Sequence, residues 1–205
     1  PHAARAIAAP WDIRAAVRTP DPARANGDIL ADLQGGVSSV EVLVSAGRGG
    51  VVLANSADLA RTLDGVFLDM APIALSGGAR GLEVSGWLLD LLSRQAKPAL
   101  APDFNLDPIT QWTLEGGLDS DVARSLGAAA AFALRVHEVF PNAGVIRASG
   151  RPAHEGGGSP AQELALMAAS GLASLRALEA AGLDPETAAG KLLFVLSVGP
   201  DVAVE

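Results

Sequence analysis

Between Ser149 and Ser159 the chain runs Ser-Gly-Arg-Pro-Ala-His-Glu-Gly-Gly-Gly-Ser, which sets a guanidinium, an imidazole and a carboxylate beside three consecutive glycines. Arg151 can form charge-assisted hydrogen bonds to a carboxylate or phosphate. Neutral His154 both donates and accepts near pH 7, which suits acid–base work or a hydrogen bond to a carbonyl oxygen, and equally suits an ordinary turn. Glu155 completes the group. Gly156, Gly157 and Gly158 would let backbone amides approach an anion at the start of a helix; the plainer reading is a flexible connection from a strand to that helix. The glycines lack the ordered spacing of a dinucleotide fingerprint, and Gly190-Lys191 is followed by Leu192 where a phosphate loop needs Ser or Thr.

Other chemistry-bearing residues are scattered. Asp103, Asn105 and Asp107 alternate and would gather around a ligand or cation, or else Asp107 caps a helix with Pro108 in its first turn. His2, His137 and His154 have no second His or Cys at ligand spacing, so no metal site is expected. His137 reads as a surface residue near a helix C-terminus, and His2 as part of a frayed end. Neither Ser76-Gly77 nor Ser149-Gly150 belongs to a Gly-x-Ser-x-Gly elbow. Trp11 and Trp112 are expected in a core or an interface.

The composition narrows the classes. Of 205 residues, 49% are hydrophobic but only 4% aromatic, with no Tyr, so the core must be built from Leu, Val, Ile and Ala at close element spacing. Fifteen Lys and Arg against 23 Asp and Glu give a net charge of -8, and Lys97 and Lys191 are the two lysines, which argues against a nucleic-acid face. The absence of Cys removes disulfides, thiolate zinc sites and cysteine nucleophiles, and is compatible with a cytoplasmic protein. Apolar runs are broken well before the roughly 20 residues of a bilayer span, and no leader pattern opens the chain, so neither a membrane anchor nor a signal peptide is expected.

These residues must be held by alternating strands and helices. Asp21 and Pro22 open a helix that stops at Gly35-Gly36; further helices are expected over 56–63, around Trp87 to Leu92, and over 120–140. Ser159, Pro160 and Gln162 form a capping-box pattern for a helix whose buried seam reads Leu164, Ala168, Gly171, Leu175 and Leu178, with Gly182 as its left-handed stop. Asp184-Pro185 opens one more. Strands are expected over 40–44, 66–75, 99–104, 145–149 and 192–198. Such alternation with continuous apolar strands predicts a parallel α/β sheet covered by helices, either a complete doubly wound sheet or part of an eight-stranded barrel.

Three stretches bear a family likeness: Pro10-Trp11-Asp12-Ile13-Arg14, residues 26–36, and Leu68-Asp69-Met70-Ala71-Pro72-Ile73. It is strongest at Gly150 to Ser159 with Ala161-Gln162-Glu163-Leu164, and continues through 171–183 to Leu193-Phe194. On these residues the chain resembles the small subunits of the methylmalonyl-CoA mutase family over nearly its whole length.

The resemblance implies a (βα)8 TIM-barrel fold, here its first five βα units in sequential neighbour order, with apolar edges left open on the first and last strands. It implies one domain over 1–205, an incomplete barrel with no cobalamin-binding domain. In the family a catalytic large subunit converts methylmalonyl-CoA to succinyl-CoA with adenosylcobalamin, and the small subunit pairs with it as a heterodimer without catalysing. This chain departs from the catalytic pattern accordingly. Arg151-Pro152 stands where the large subunit has Tyr-His, Ala16 where it has another Tyr, and no His has Asp two residues before it as a cobalamin-ligating element requires. No residue of this chain is therefore expected to be catalytic or to hold the cofactor. The rival reading is a stand-alone acyl-CoA-binding protein or enzyme using Arg151, His154 and Glu155, with Arg124 as a further cation for an acyl carboxylate or CoA phosphate.

Overall fold

The computed structural model describes residues 12–45, 49–95, 99–114 and 121–198. Among them six parallel strands form one sheet in the order β1 (Arg14–Val17), β2 (Ser39–Leu43), β3 (Ile73–Ser76), β4 (Asp103–Leu106), β5 (Gly144–Ser149) and β6 (Leu192–Val195), each bonded to its sequence neighbours. Between them run α1 (Pro22–Gln34), α2 (Ser56–Thr62), a 3-10 turn (Gly78–Arg80) leading into α3 (Gly81–Ser93), α4 (Pro108–Leu114), α5 (Val122–Val139), α6 (Arg151–Glu155), α7 (Pro160–Ala180) and α8 (Pro185–Ala189). Sequential parallel order is barrel topology, since a doubly wound sheet reverses after its first strands.

Local chemistry sets most of these bounds. Asp21 accepts from the Arg24 amide at 2.9 Å to start α1, Asn55 accepts from the amides of Ala57 and Asp58 to start α2, and Asp184 does the same for Glu186 and Thr187 at α8. At α7 the Ser159–Gln162 capping box is complete, and Gly182 has φ 110°, the left-handed stop that only glycine adopts cheaply.

The strands alternate between two environments. Val40, Val42, Ile73, Leu75, Phe104 and Ile146 face outward and are almost fully buried under the helices, with Phe104 edge-on to Phe132 of α5 at 5.1 Å. Their neighbours Glu41, Ser76, Asn105 and Arg147 meet one another on the opposite, inner face. Among the described residues one cation is fully buried. Lys191, at the foot of β6, is fully enclosed and donates from Nζ to the Pro141 carbonyl just past α5, and burial pushes its ammonium below its ordinary pKa.

Several expectations are corrected. The sheet has six described strands rather than five, because Arg14–Val17 pairs in register with β2 from Arg14↔Ser39 to Val17↔Val42. That strand was missed because half of its four residues are Ala, which lacks a strand signature. It covers the edge of β2 that was expected to be open. The run over 66–75 is strand only at its end: residues 66–71 form a turned segment closed by Met70 and Ala71 amides on the Phe67 carbonyl, burying Val66, Leu68 and Ala71 from a loop. The strand expected over 99–104 is shifted to Asp103–Leu106, and that over 192–198 stops at Val195. In α7 the buried face is Glu163, Ser170, Gly171, Ser174 and Leu178: of the expected seam, Gly171 and Leu178 are buried and Leu175 packs against the core, while Leu164 is 53% exposed and Ala168 is exposed, because small residues let this helix approach β5 closely. Trp112 is half-exposed, and Trp11 and His2 lie outside the described residues. The open last strand does carry exposed apolar side chains, Phe194 among them.

Space at the strand ends makes a test. A methyl at Gly77, just after β3, would lie 2.7 Å from the Gly81 backbone, whereas one at Gly127 in the middle of α5 meets nothing within 4 Å. Gly77→Ala is expected to lower stability by about 1–3 kcal/mol through overpacking. Gly127→Ala is expected to raise it by about 0.5–1 kcal/mol through helix propensity. Urea midpoints measured side by side check both signs.

Candidate functional site

The inner face carries two polar layers. At the N-terminal end, Arg14 of β1 binds Asp103 of β4 at 2.7 Å, Asp12 at 3.1 Å and the Ser39 hydroxyl at 2.9 Å. One layer up, Arg147 of β5 donates from Nε to Asp107 Oδ2 and from Nη1 to Ser76 Oγ, both at 3.2 Å, and lies 3.7 Å from Glu41 Oε1. The Ser76 hydroxyl donates to Glu41 Oε1 at 2.5 Å, and the Asn105 amide reaches both Glu41 and Ser76 at 3.3 Å. Asn105 is held at φ 45°, the one described residue other than Gly with positive φ, at the point where the β4–β5 register shifts. Asn tolerates that region better than most side chains, and the twist aims its amide at the cluster.

These contacts join strands three places apart, β1 with β4 and β2 with β5. In a flat sheet such strands stand about 14 Å apart. Side chains from them touch because the sheet is rolled, so its inner face is a barrel interior and its C-terminal strand ends form a mouth.

Asp103, Asn105 and Asp107 therefore do not share a ligand. Asp103 belongs to Arg14, Asn105 to Glu41 and Ser76, and Asp107 divides its oxygens between Arg147 and the Thr110 amide, the latter at 3.0 Å as a cap for α4. Among the described residues no group of His, Asp and Glu is arranged to hold a metal.

At the mouth, the stretch 151–155 expected as a loop is the short helix α6. Arg151 and Glu155, one helical turn apart, pair with each other at 2.6 Å in solvent. His154 Nδ1 lies 3.2 Å from Glu163 Oε2, and Glu163, though nearly buried, accepts the Ser197 amide on its other oxygen at 2.6 Å. The Ser197 amide, and to a lesser degree His154, hold the Glu163 carboxyl below the ordinary carboxylate range against the opposing cost of burial. The carboxylate thus ties α6, the first turn of α7 and the chain leaving β6. Gly150 is what admits it, since a methyl there would lie 2.5 Å from Glu163 Cγ. The glycine run is used in the same packing: Gly157 has φ 79°, and a methyl at Gly158 would lie 2.7 Å from the Ala153 carbonyl oxygen. Arg124 sits exposed on the first turn of α5 and makes no hydrogen bond or ion pair with Arg151, His154 or Glu155.

Of the four expected site residues, then, three are brought to one short helix and tied in two separate pairs, and Arg124 stands apart. Reading residue by residue missed Glu41, Arg147 and Glu163. The first two have a visible signal, a charge inside an alternating Val-Glu-Val or an Ile-Arg-Ala strand. A cavity of about 260 Å³ beside the ends of β2 and β3, lined by Val44, Gly77, Arg80 and Gln111, was also not anticipated.

Sequentially ordered parallel strands, a helical outer layer and a polar interior define a partial (βα) barrel. A family model for methylmalonyl-CoA mutase matches residues 7–205. The methylmalonyl-CoA mutase small subunit of Streptomyces virginiae is 33% identical over 193 residues, which is 93% of this chain and 30% of that protein. The chain belongs to the methylmalonyl-CoA mutase family and spans about 30% of the length of this curated relative.

Two tests follow from the geometry. Arg147→Met leaves Asp107, whose side chain is 2% exposed, without its counter-charge, and is expected to cost about 2–4 kcal/mol. Adding Asp107→Asn, which keeps the helix cap, should recover part of that loss in a double-mutant cycle of urea unfolding. For Glu163 the folded carboxyl is depressed, so its contribution is present above the unfolded value of about 4.3 and disappears as pH falls through the folded one. Glu163→Gln should therefore be less stable than the parent at neutral pH, with the gap closing below about pH 4 in thermal unfolding.

Proposed function

We propose that this chain is the barrel portion of a non-catalytic small subunit of an adenosylcobalamin-dependent methylmalonyl-CoA mutase, paired with a catalytic large subunit that interconverts methylmalonyl-CoA and succinyl-CoA. The observation that supports this best is the inner face. Ala16, at the position of a catalytic phenol in the resemblance, presents a methyl in register with Glu41, and the charges around it are neutralised by one another through Arg147. Pro152, at the position of the catalytic imidazole, serves as a first-turn residue of α6 and has no proton to move.

Among the described histidines, neither His137 nor His154 has Asp two residues before it, as the cobalamin-ligating element in the resemblance does. His154 Nδ1 faces Glu163, and the Nδ1 of His137, in the last turn of α5, is buried without a hydrogen-bond partner. In the assembled mutase, cobalamin would supply the radical reactivity from the catalytic partner. A surviving acyl-CoA site is the second reading, favoured by the exposure of Arg124 and Arg151 on first turns of α5 and α6, at the mouth end of the barrel. Cytoplasmic location belongs to the same proposal; among the described residues no helix is long and apolar enough to cross a membrane.

An absorbance titration with adenosylcobalamin and a succinyl-CoA assay test the main reading. The chain without its partner should bind no molar equivalent of cofactor and show no turnover, while the assembled subunits turn over. Stoichiometric binding, or turnover without the partner, overturns it. Calorimetry of the assembled protein with an acyl-CoA tests the second reading: Arg151→Ala with His154→Ala should weaken binding about tenfold or more if the mouth holds the ligand.

A further inference from the structure

Between α2 and α3, on the outer side of the helical layer, lies a groove of about 550 Å³. Its α2 wall is built from Ala57 and Ala60, both exposed, and its α3 wall from Trp87 and Leu91, one helical turn apart. Methyl side chains on one wall leave space that longer ones would fill. Leu63 and Val66, both part of the core, close the groove from beneath.

The half-buried Trp87 ring is braced on one side. The Arg80 guanidinium lies 5.2 Å from its centroid, and Arg80 is itself held by Glu83 at 2.7 Å. An indole fixed in this way beside a cavity is suited to anchor a protein contact, because little side-chain freedom is lost when a partner packs on it.

Charge decides which partner fits. Asp64, just past α2, and Asp90 of α3 line the groove, and among the described residues neither carboxylate is in an ion pair; Arg94 is the one basic residue lining it. A second copy of a chain with net charge -8 would set carboxylates against carboxylates. An apolar ridge flanked by Lys or Arg satisfies both the apolar walls and the two acids.

We propose that the unlike subunit docks in this groove, an assignment that rests on the pairing inferred above and says where the two chains meet. An amphipathic helix of that subunit lies between Ala60 and Trp87, with its basic side chains on Asp64 and Asp90.

Filling the groove tests this. Ala60→Gln, and Ala57→Gln one turn earlier, place a longer helix-forming side chain at exposed positions, so far-ultraviolet circular dichroism and the thermal midpoint should match the parent. Sedimentation of the chain with its catalytic partner should show pairing weakened about tenfold or more. Asp64→Asn with Asp90→Asn should weaken pairing and flatten its dependence on salt. Parent-like affinity in both glutamine variants overturns the proposal, as does an unchanged salt dependence in the double variant. So does a loss of self-association in place of pairing, which makes the groove a contact between copies. A parent chain that fails to pair at all overturns the pairing and the docking with it, whereas pairing untouched by groove filling removes the docking surface alone.

Discussion

The charge on Arg147 must be neutralised inside a curved sheet, and much of the rest of the molecule is consistent with that one requirement. Its guanidinium reaches from β5 to Glu41 on β2, three strand spacings away, and this is geometrically possible only if the sheet is rolled. Arg14 repeats the reach one layer down, from β1 to Asp103 on β4. Such buried or half-buried ion pairs contribute little net stability, because desolvation offsets most of the attraction. The stabilising surplus comes from the outer face, where Val40, Val42, Ile73, Leu75 and Phe104 are removed from water beneath the helices. The ion pairs instead select the curvature: any flatter sheet would leave charges facing each other across a gap.

The same logic operates at the mouth on a smaller scale. Glu163 is a single carboxylate enclosed where three segments meet, and it is tolerable there because one oxygen takes the Ser197 amide and the other faces His154. Gly150 and Gly158 make room by omitting side chains where backbone and carboxylate come close. The residues that looked most like a ligand site in isolation are thus engaged with one another. Arg151 is satisfied by Glu155, His154 by Glu163, and the glycines by the tight α6–α7 turn.

Helix starts and stops were legible because they are local. A cap such as Asp21, Asn55, Ser159 or Asp184 bonds amides two or three residues ahead, so sequence neighbours contain the whole interaction. The parallel direction of the strands was legible for a similar reason, since long helical crossovers between short apolar runs permit little else, whereas the strand pattern alone favoured a complete doubly wound sheet over the sequential order observed. The strand Arg14–Val17 was not, because an Ala-rich tetrapeptide has almost no preference of its own and becomes strand only by pairing with β2. The α7 seam was read correctly at Gly171, Leu175 and Leu178 but not at Leu164 and Ala168, which are exposed, because Ser170 and Ser174 beside Gly171 let the helix approach β5 and share its inward face.

By itself, then, the sequence determined the α/β class, most of the helix starts, and the family likeness carried by Gly150 to Leu164, while the short helix α6 reads locally as a loop. Tertiary structure alone decided which charges meet. Glu41 and Arg147 are separated by more than a hundred residues, and Gly150 and Glu163 by a helix and a turn, so no local pattern records their pairing. Whether a polar side chain is a ligand-binding group or a partner for another side chain depends on distances across the rolled sheet, and those exist only once the apolar outer face has been buried and the strands have closed on one another.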